Sequence, residues 1–428
     1  MATRQQDNTT SGAESAAKLL TDNSRRIFEG DRTLWIIFTV LLVTSILVVY
    51  SSTAKMAYNI SSKMTTTDAL RDQIMFVVLS IPTIFIASKV DHKVFFRITP
   101  LFFLLFVGLT ITTYFVGGTT NGAARWLPIG PIRFQPSEGL KIFTVMMLAR
   151  SMESRQKTIN KINLLPTSLR LRSDKQRKIL RENTLPILGP VILACIVIAP
   201  AHTSSAMLIF IVSTIMLYIG RVKFSEVVKF VVVIGFIGAV GIASLAAIGI
   251  GRGDTAGNRL TTWVNEWIYG GKADTPYEMS DTQLAMVAIR NGGALGEGAG
   301  HSSARAVVIH PESDYAYSFF VSEYGLIMGL ILMLLYLWIF FRSIEICRHC
   351  RRAFPALMTV GLGLLITCQA LLHILVQVNF FPETGQNLPF ISRGGSSLLF
   401  TTAALGMIIS VSRTNKLEEL KDERRKTR

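Results

Sequence analysis

Long apolar runs, separated by polar segments, recur along the chain. They span residues 34–50, 74–88, 101–116, 187–199, 206–219, 227–250, 326–341, 356–378 and 398–411, with 141–149 a shorter run that extends back toward Ser137. Most approach the ~20 residues a helix needs to cross hydrocarbon. The pattern predicts an all-α membrane protein of about ten transmembrane helices, with a large extracytoplasmic loop at 251–316 between spans seven and eight. Residues 1–32 are polar and predict a disordered cytoplasmic tail with no cleavable signal peptide, so the first span serves as an uncleaved anchor. Residues 33–413 form the membrane domain, and 414–428 form a basic cytoplasmic tail.

Charge sharpens this topology. The 428 residues carry 44 Lys and Arg against 28 Asp and Glu, a net charge of +16. The basic residues cluster at 150–181, 342–352 and 416–428. Ten spans counted from an inside N-terminus put all three clusters on one side, the positive-inside pattern of the cytoplasmic face, so both termini are expected there. Such a rim suits anionic lipid headgroups. Basic charge lying beside membrane spans argues against a nucleic-acid partner. Of the four cysteines, Cys347 and Cys350 have CxxC spacing, but no second pair completes a metal site.

The large loop holds Trp263, Trp267, Tyr269 and Tyr277, aromatics suited to the interfacial layer. Residues 283–290 predict a short surface helix. Residues 292–300 read GGALGEGAG, a flexible glycine turn without the strand and helix that a phosphate-binding fingerprint requires.

Four polar groups converge on the outer side under this topology. The first is Asn121-Gly-Ala-Ala-Arg125-Trp126, followed by Gln135-Pro-Ser-Glu138 and Lys141. Pro136 suits a helix first turn. Glu138 and Lys141, three apart, then share a helix face, either as a structural ion pair or as substrate contacts. The second is Glu312 with Asp314, leading directly into an apolar run. These acids are either a dipole-favoured helix start or a functional site, because a carboxylate near hydrocarbon is costly. The third runs from Glu383 to Ser397 and contains Arg393, Gly394, Gly395, Ser396 and Ser397. Ser396 and Ser397 either cap the last span, or their segment offers bare amides to an anion such as a diphosphate. The fourth is Glu323 with His373, Gln377 and Asn379, where interhelical hydrogen bonding is the expected role of His373 and Gln377.

Together these segments resemble the SEDS family, the FtsW and RodA group of cell-wall glycosyltransferases. Asn121 to Trp126 is similar to the family's NGxRRW segment, and Gln135 to Lys141 to its FQPSExxK segment. Ser313-Asp314-Tyr315-Ala316-Tyr317 is similar to (T/S)DFIF, and Leu388 to Ser397 to PFISYGGSS. The order and the ten-span layout match from about residue 33 to 413. Val49-Tyr50-Ser51-Ser52 resembles the division paralogue FtsW more than RodA. Two departures stand out: Pro200-Ala-His-Thr-Ser-Ser replaces Pro-Asp-x-Gly-Thr, and Arg393 replaces a tyrosine.

The resemblance implies polymerisation of lipid II into glycan strands at the outer face of the bacterial cytoplasmic membrane, with Asp314 as the catalytic base. A sugar hydroxyl attacks the anomeric carbon of a second unit and the lipid diphosphate departs as a stable anion, so one carboxylate suffices where hydrolases use two. Arg125, Lys141 and Arg393 would bind the diphosphate by charge-assisted bonds, with Trp126, Gln135, Glu138, Ser396 and Ser397 completing the substrate site. A divalent cation, Mg2+ or Mn2+, is an open addition, since substrate phosphates supply ligands. The implied partners are a class B penicillin-binding protein transpeptidase and other division proteins. Two other classes stay open: a lipid II flippase, which would show broken helices in two halves and a mid-bilayer site, and a noncatalytic divisome scaffold. A RodA-like elongation role is the alternative to septal synthesis.

Overall fold

The computed structural model describes residues 28–53, 66–116, 126–129, 132–159, 180–248, 253–269, 279–308 and 310–427. Arg125 and the four residues before it, the tail up to residue 27, residues 160–179 of the basic loop, and Tyr277 lie outside the described residues.

Every apolar run falls on a helix, because a bilayer core leaves backbone N–H and C=O groups no partners but each other. In chain order these are α1 (Arg32–Ser52), α2 (Thr66–Lys89), α3 (His92–Val116), α4 (Pro136–Glu153), α5 (Leu185–Ile198), α6 (Thr203–Ile219) and α7 (Phe224–Ile248). Within the large loop lie α8 (Gly253–Tyr269), α9 (Asp281–Gly292) and the single turn α10 (Ala304–Val307), and after it α11 (Ala316–Arg348), α12 (Ala353–Gln377) and α13 (Ser396–Lys426). Among the described residues, seven helices are long and apolar enough to cross a membrane, namely α1, α2, α3, α5 with the turn before it, α11, α12 and α13. The other three runs fall on α4, α6 and α7. Among the described residues the fold is all-α apart from one antiparallel hairpin, β1 (Leu127–Ile129) on β2 (Ile132–Phe134), with Leu127 opposite Phe134. The hairpin delivers Gln135 and Pro136 to the head of α4. The predicted C-terminal tail continues as helix to Lys426.

α12 occupies the centre. Its most apolar stretch is 83% buried, against 28% for α11, and it packs on α4, α6, α11 and α13. Gly363 lets α11 come close, since a Cβ there would meet Ser343 Oγ at 2.3 Å. The two ends of the bundle are fixed by polar contacts. At one end Asp31 caps α1 by accepting from Leu34 N at 3.1 Å, and it also pairs with Arg342 near the end of α11. Lys416 of α13 donates to Gly30 O at 2.7 Å, so both chain ends share this face. At the opposite end Ser51 donates to Glu323, which pairs with Arg305 at 2.9 Å.

The glycine segment docks against α11. α11 is interrupted at Gly325 (φ 85, ψ 165), and the 292–298 segment fills the break. Glu297 N and Gly298 N donate to Ser322 O and Glu323 O at 2.9 and 3.0 Å. In return Leu326 N and Ile327 N donate to Gly293 O and Ala294 O at 2.9 and 3.3 Å. These bonds replace the helical ones lost at the break.

Candidate active site

Asp314 lies in a turn at the end away from the chain termini, immediately before α11. It does not cap that helix: Tyr315 is the N-cap residue, and no side chain caps the start. Two segments, the end of α12 and the last loop, hold the turn by its backbone. Gln377 Nε2 donates to Asp314 O at 3.3 Å, Ser392 Oγ to Ser313 O at 2.7 Å, and Arg393 N to Glu312 O at 2.8 Å. The Asp314 carboxylate forms no ion pair among the described residues. Gly385, at φ 59, lies beside it, where a Cβ would stand 3.9 Å from Oδ2 in ordinary contact. His310 (φ 52) and Phe390 (φ 67) hold left-handed backbone on the segments that meet here, a strain that tertiary packing must maintain.

Burial is the largest influence on Asp314 and raises its carboxyl above the usual aspartate range, opposed by the His310 and Arg259 charges. His310 is raised by its hydrogen bond to Glu312, 3.5 Å from Nδ1 to Oε1. Burial would raise Glu312 as well, but the His310 bond and positive neighbours lower it overall. The two acids, treated as one group in the sequence, thus separate: Glu312 is held ionised by a partner, while Asp314 is poised to take a proton.

A third acid joins them. Glu383 pairs with Arg259 of α8 at 3.3 Å, and burial raises its carboxyl, with Asp281 and Asp314 adding to the rise. Two clefts adjoin this pair, one toward Thr203 and Phe381 and one toward Trp263 and Asp281. Arg259 and Asp281 escaped the sequence analysis because neither sits in a motif. The departure at Pro200 to Ser205 also has a structural place: His202, 5% exposed, bonds Ser205 Oγ at 2.6 Å. Gln386 Nε2 donates to Ser205 Oγ at 2.8 Å, and Ser204 Oγ donates to Thr384 O at 2.7 Å. Burial lowers His202 to about 4, so the turn beneath the last loop is neutral at pH 7.

The first and third motifs meet in one network. Glu138 and Lys141 form a 2.8 Å ion pair with side chains 7% and 1% exposed. Lys141 also donates to Gln369 Oε1 of α12 at 2.9 Å, and Gln369 Nε2 to Asn387 O at 3.1 Å. Ser396 and Ser397 are not caps: Gly395 holds the N-cap position of α13, without a side-chain bond. Ser396 Oγ instead accepts from Gln135 N at 3.0 Å, and Ser397 Oγ donates to Glu138 Oε2 at 3.3 Å. The ion pair therefore ties α4, α12 and α13 together. Arg393 pairs with Asp72 of α2 at 3.2 Å, and Trp126 is half-buried ahead of β1. His373 and Gln377 hydrogen-bond between elements: His373 Nδ1 donates to Gln386 O at 2.6 Å, and Gln377 Oε1 accepts from Ser318 N at 2.5 Å.

No three His, Cys, Asp or Glu side chains among the described residues gather closely enough to hold a metal ion.

The sequence profile of the FtsW, RodA and SpoVE cell cycle proteins matches residues 31–417. The chain belongs to this family. It is 26% identical over 391 residues to stage V sporulation protein E of Bacillus subtilis (strain 168), which covers 90% of this chain and 97% of that protein. It is 27% identical over 344 residues to the probable peptidoglycan glycosyltransferase FtsW of Nitrosococcus halophilus (strain Nc4), covering 79% and 81%. A solved chain from a peptidoglycan synthase complex that coordinates polymerization and crosslinking is similar with TM-score 0.62 at 18% identity, covering 90% of this chain and 98% of that one. The rod shape determining protein RodA of Thermus thermophilus has TM-score 0.56 at 19% identity, covering 90% and 97%. The SEDS resemblance read from four motifs is borne out, and the protein is an FtsW-like member with a RodA-like fold and several membrane spans.

Proposed function

We propose that the chain is a peptidoglycan glycosyltransferase that polymerises lipid II at the outer face of the bacterial cytoplasmic membrane, with both termini in the cytoplasm. The observation that carries this is Asp314, a carboxylate that neither caps a helix nor pairs with a cation among the described residues, raised by burial and lying beside Gly385. As its proton affinity rises, it becomes a stronger acceptor for a sugar hydroxyl. The hydroxyl oxygen bonds to the anomeric carbon, its proton passes to Asp314, and the bond from that carbon to the diphosphate oxygen breaks. Arg259 and Arg393 stand near Asp314 and Glu312, where their charge would attract the departing anion.

Lys141, paired and 1% exposed, would act on the diphosphate through its field or by opening its pair with Glu138. Gln135, Ser396 and Ser397 shape the wall beside it, and Arg125 and Trp126 complete the substrate-binding set. Relatives named FtsW favour septal synthesis over elongation. The resemblance to a chain from a complex that joins polymerization to crosslinking favours a class B penicillin-binding protein as partner, with other division proteins around the pair.

The test is polymerisation of labelled lipid II by the purified protein with its transpeptidase, beside Asp314→Asn at equal folding. Glycan strands from the parent and none from the variant support the mechanism. Equal product removes Asp314 as the base. No product from either, with lipid translocation in vesicles, moves the protein to the flippase class.

A further inference from the structure

On the face that carries Gly30 and Lys416, three arginines are held in ion pairs. Arg342 meets Asp31 and Glu345, Arg351 meets Glu418 and Asp422, and Arg413 meets Glu29. One pocket on this face instead gathers cations that lack such partners. Lys93 and Arg97 of α3 and Arg352 at the start of α12 line it, and none of the three has an ion-pair partner among the described residues. Only Glu153, at the end of α4, opposes them from the wall. His92, 7% exposed, also lines the pocket; its Nδ1 is buried without a hydrogen-bond partner, although Asp91 Oδ1 stands 3.0 Å away. α12 begins there without a side-chain cap, adding the positive end of its dipole.

Gathered cations with no partner imply an anion of matching size, and the start of a helix suits a phosphoryl group. The surroundings indicate its source. The floor is apolar, with Phe96 and Phe354 packed edge to face at 5.1 Å. Below Arg97 on the same face of α3, Leu101 and Leu104 are 68% and 63% exposed, a stripe suited to an acyl chain. We infer that this pocket binds the phosphate of an anionic phospholipid headgroup, with acyl chains lying along α3. The site is remote from Asp314 and independent of the reaction proposed there. Its occupant would brace α3, α4 and α12 at the membrane surface.

The test uses the full chain in mild detergent, titrated with phosphatidylglycerol or phosphatidylcholine and read by native mass spectrometry. In Arg97→Gln/Arg352→Gln the phosphatidylglycerol concentration for half occupancy should rise about 25-fold, from roughly fivefold per basic residue. Arg97→Lys/Arg352→Lys should restore most of the binding, and Arg425→Gln in the exposed tail should change nothing. Unchanged binding in the double Gln variant, or equal retention of phosphatidylcholine by the parent, overturns the inference. Millimolar glycerol phosphate distinguishes the sources: no displacement supports a lipid, and full displacement of the bound lipid overturns the lipid assignment in favour of a soluble phosphoryl ligand.

Discussion

Gly325→Ala tests whether the break in α11 positions the catalytic turn. At φ 85 and ψ 165 the backbone occupies a region essentially reserved for glycine, at a cost of about 1–3 kcal/mol for other residues. An alanine Cβ would also stand 2.3 Å from Ala294 O and 2.5 Å from Leu295 C. Both are backbone atoms, so no side-chain rotation relieves the clash. The segments must separate, which opens bonds from Glu297, Gly298, Leu326 and Ile327 worth about 1 kcal/mol each, or about 4 together. The helix that moves starts two residues after Asp314. A displacement of about 1 Å there can lower the rate on the order of a hundredfold.

Hydrogen exchange should show the Glu297 and Gly298 amides losing protection, and lipid II polymerisation should fall in step. Gly189→Ala provides the contrast: nothing lies within 4 Å of its Cβ, and in mid-helix it should be neutral or gain about 0.5–1 kcal/mol. If Gly325→Ala kept amide protection and full activity, the docking of 292–298 would have no part in holding Asp314.

Three further outcomes follow from the site. Arg259 lowers the Asp314 carboxyl, so Arg259→Gln should raise it further; because the base form is lost below that pKa, the acid limb of the pH–rate profile should move to higher pH, and an unmoved limb refutes the coupling. Lys141→Met leaves Glu138 buried without its cation and should cost about 3–5 kcal/mol in thermal or denaturant unfolding. The double variant Glu138→Leu/Lys141→Met should recover most of that loss, and additive losses would show that the pair does not act as a unit.

The membrane helices were legible because hydrocarbon imposes a one-dimensional rule: about twenty consecutive apolar residues, whatever lies beside them. Most runs from 34–50 to 398–411 approach it, and each falls on a helix. The Glu138–Lys141 pair was legible for a similar reason, since residues three apart on a helix meet without help from the rest of the chain. The motifs marked Asp314 and the family, but not the state of the carboxylate. Local rules offered caps for Asp314 and for Ser396 and Ser397, yet neighbouring segments took the serines' bonds, and the turn before α11 left Asp314 uncommitted.

Only the tertiary structure decided the rest. Arg259 and Glu383 meet across 124 residues of sequence, and Lys141 reaches Gln369 across 228. The glycine segment 292–298 took its shape from orphaned groups at Gly325, which no local pattern reveals. Apolar periodicity determines which segments enter the membrane. Which charges stay unpaired depends on helix packing, because a partner's position in space is independent of its position in the chain.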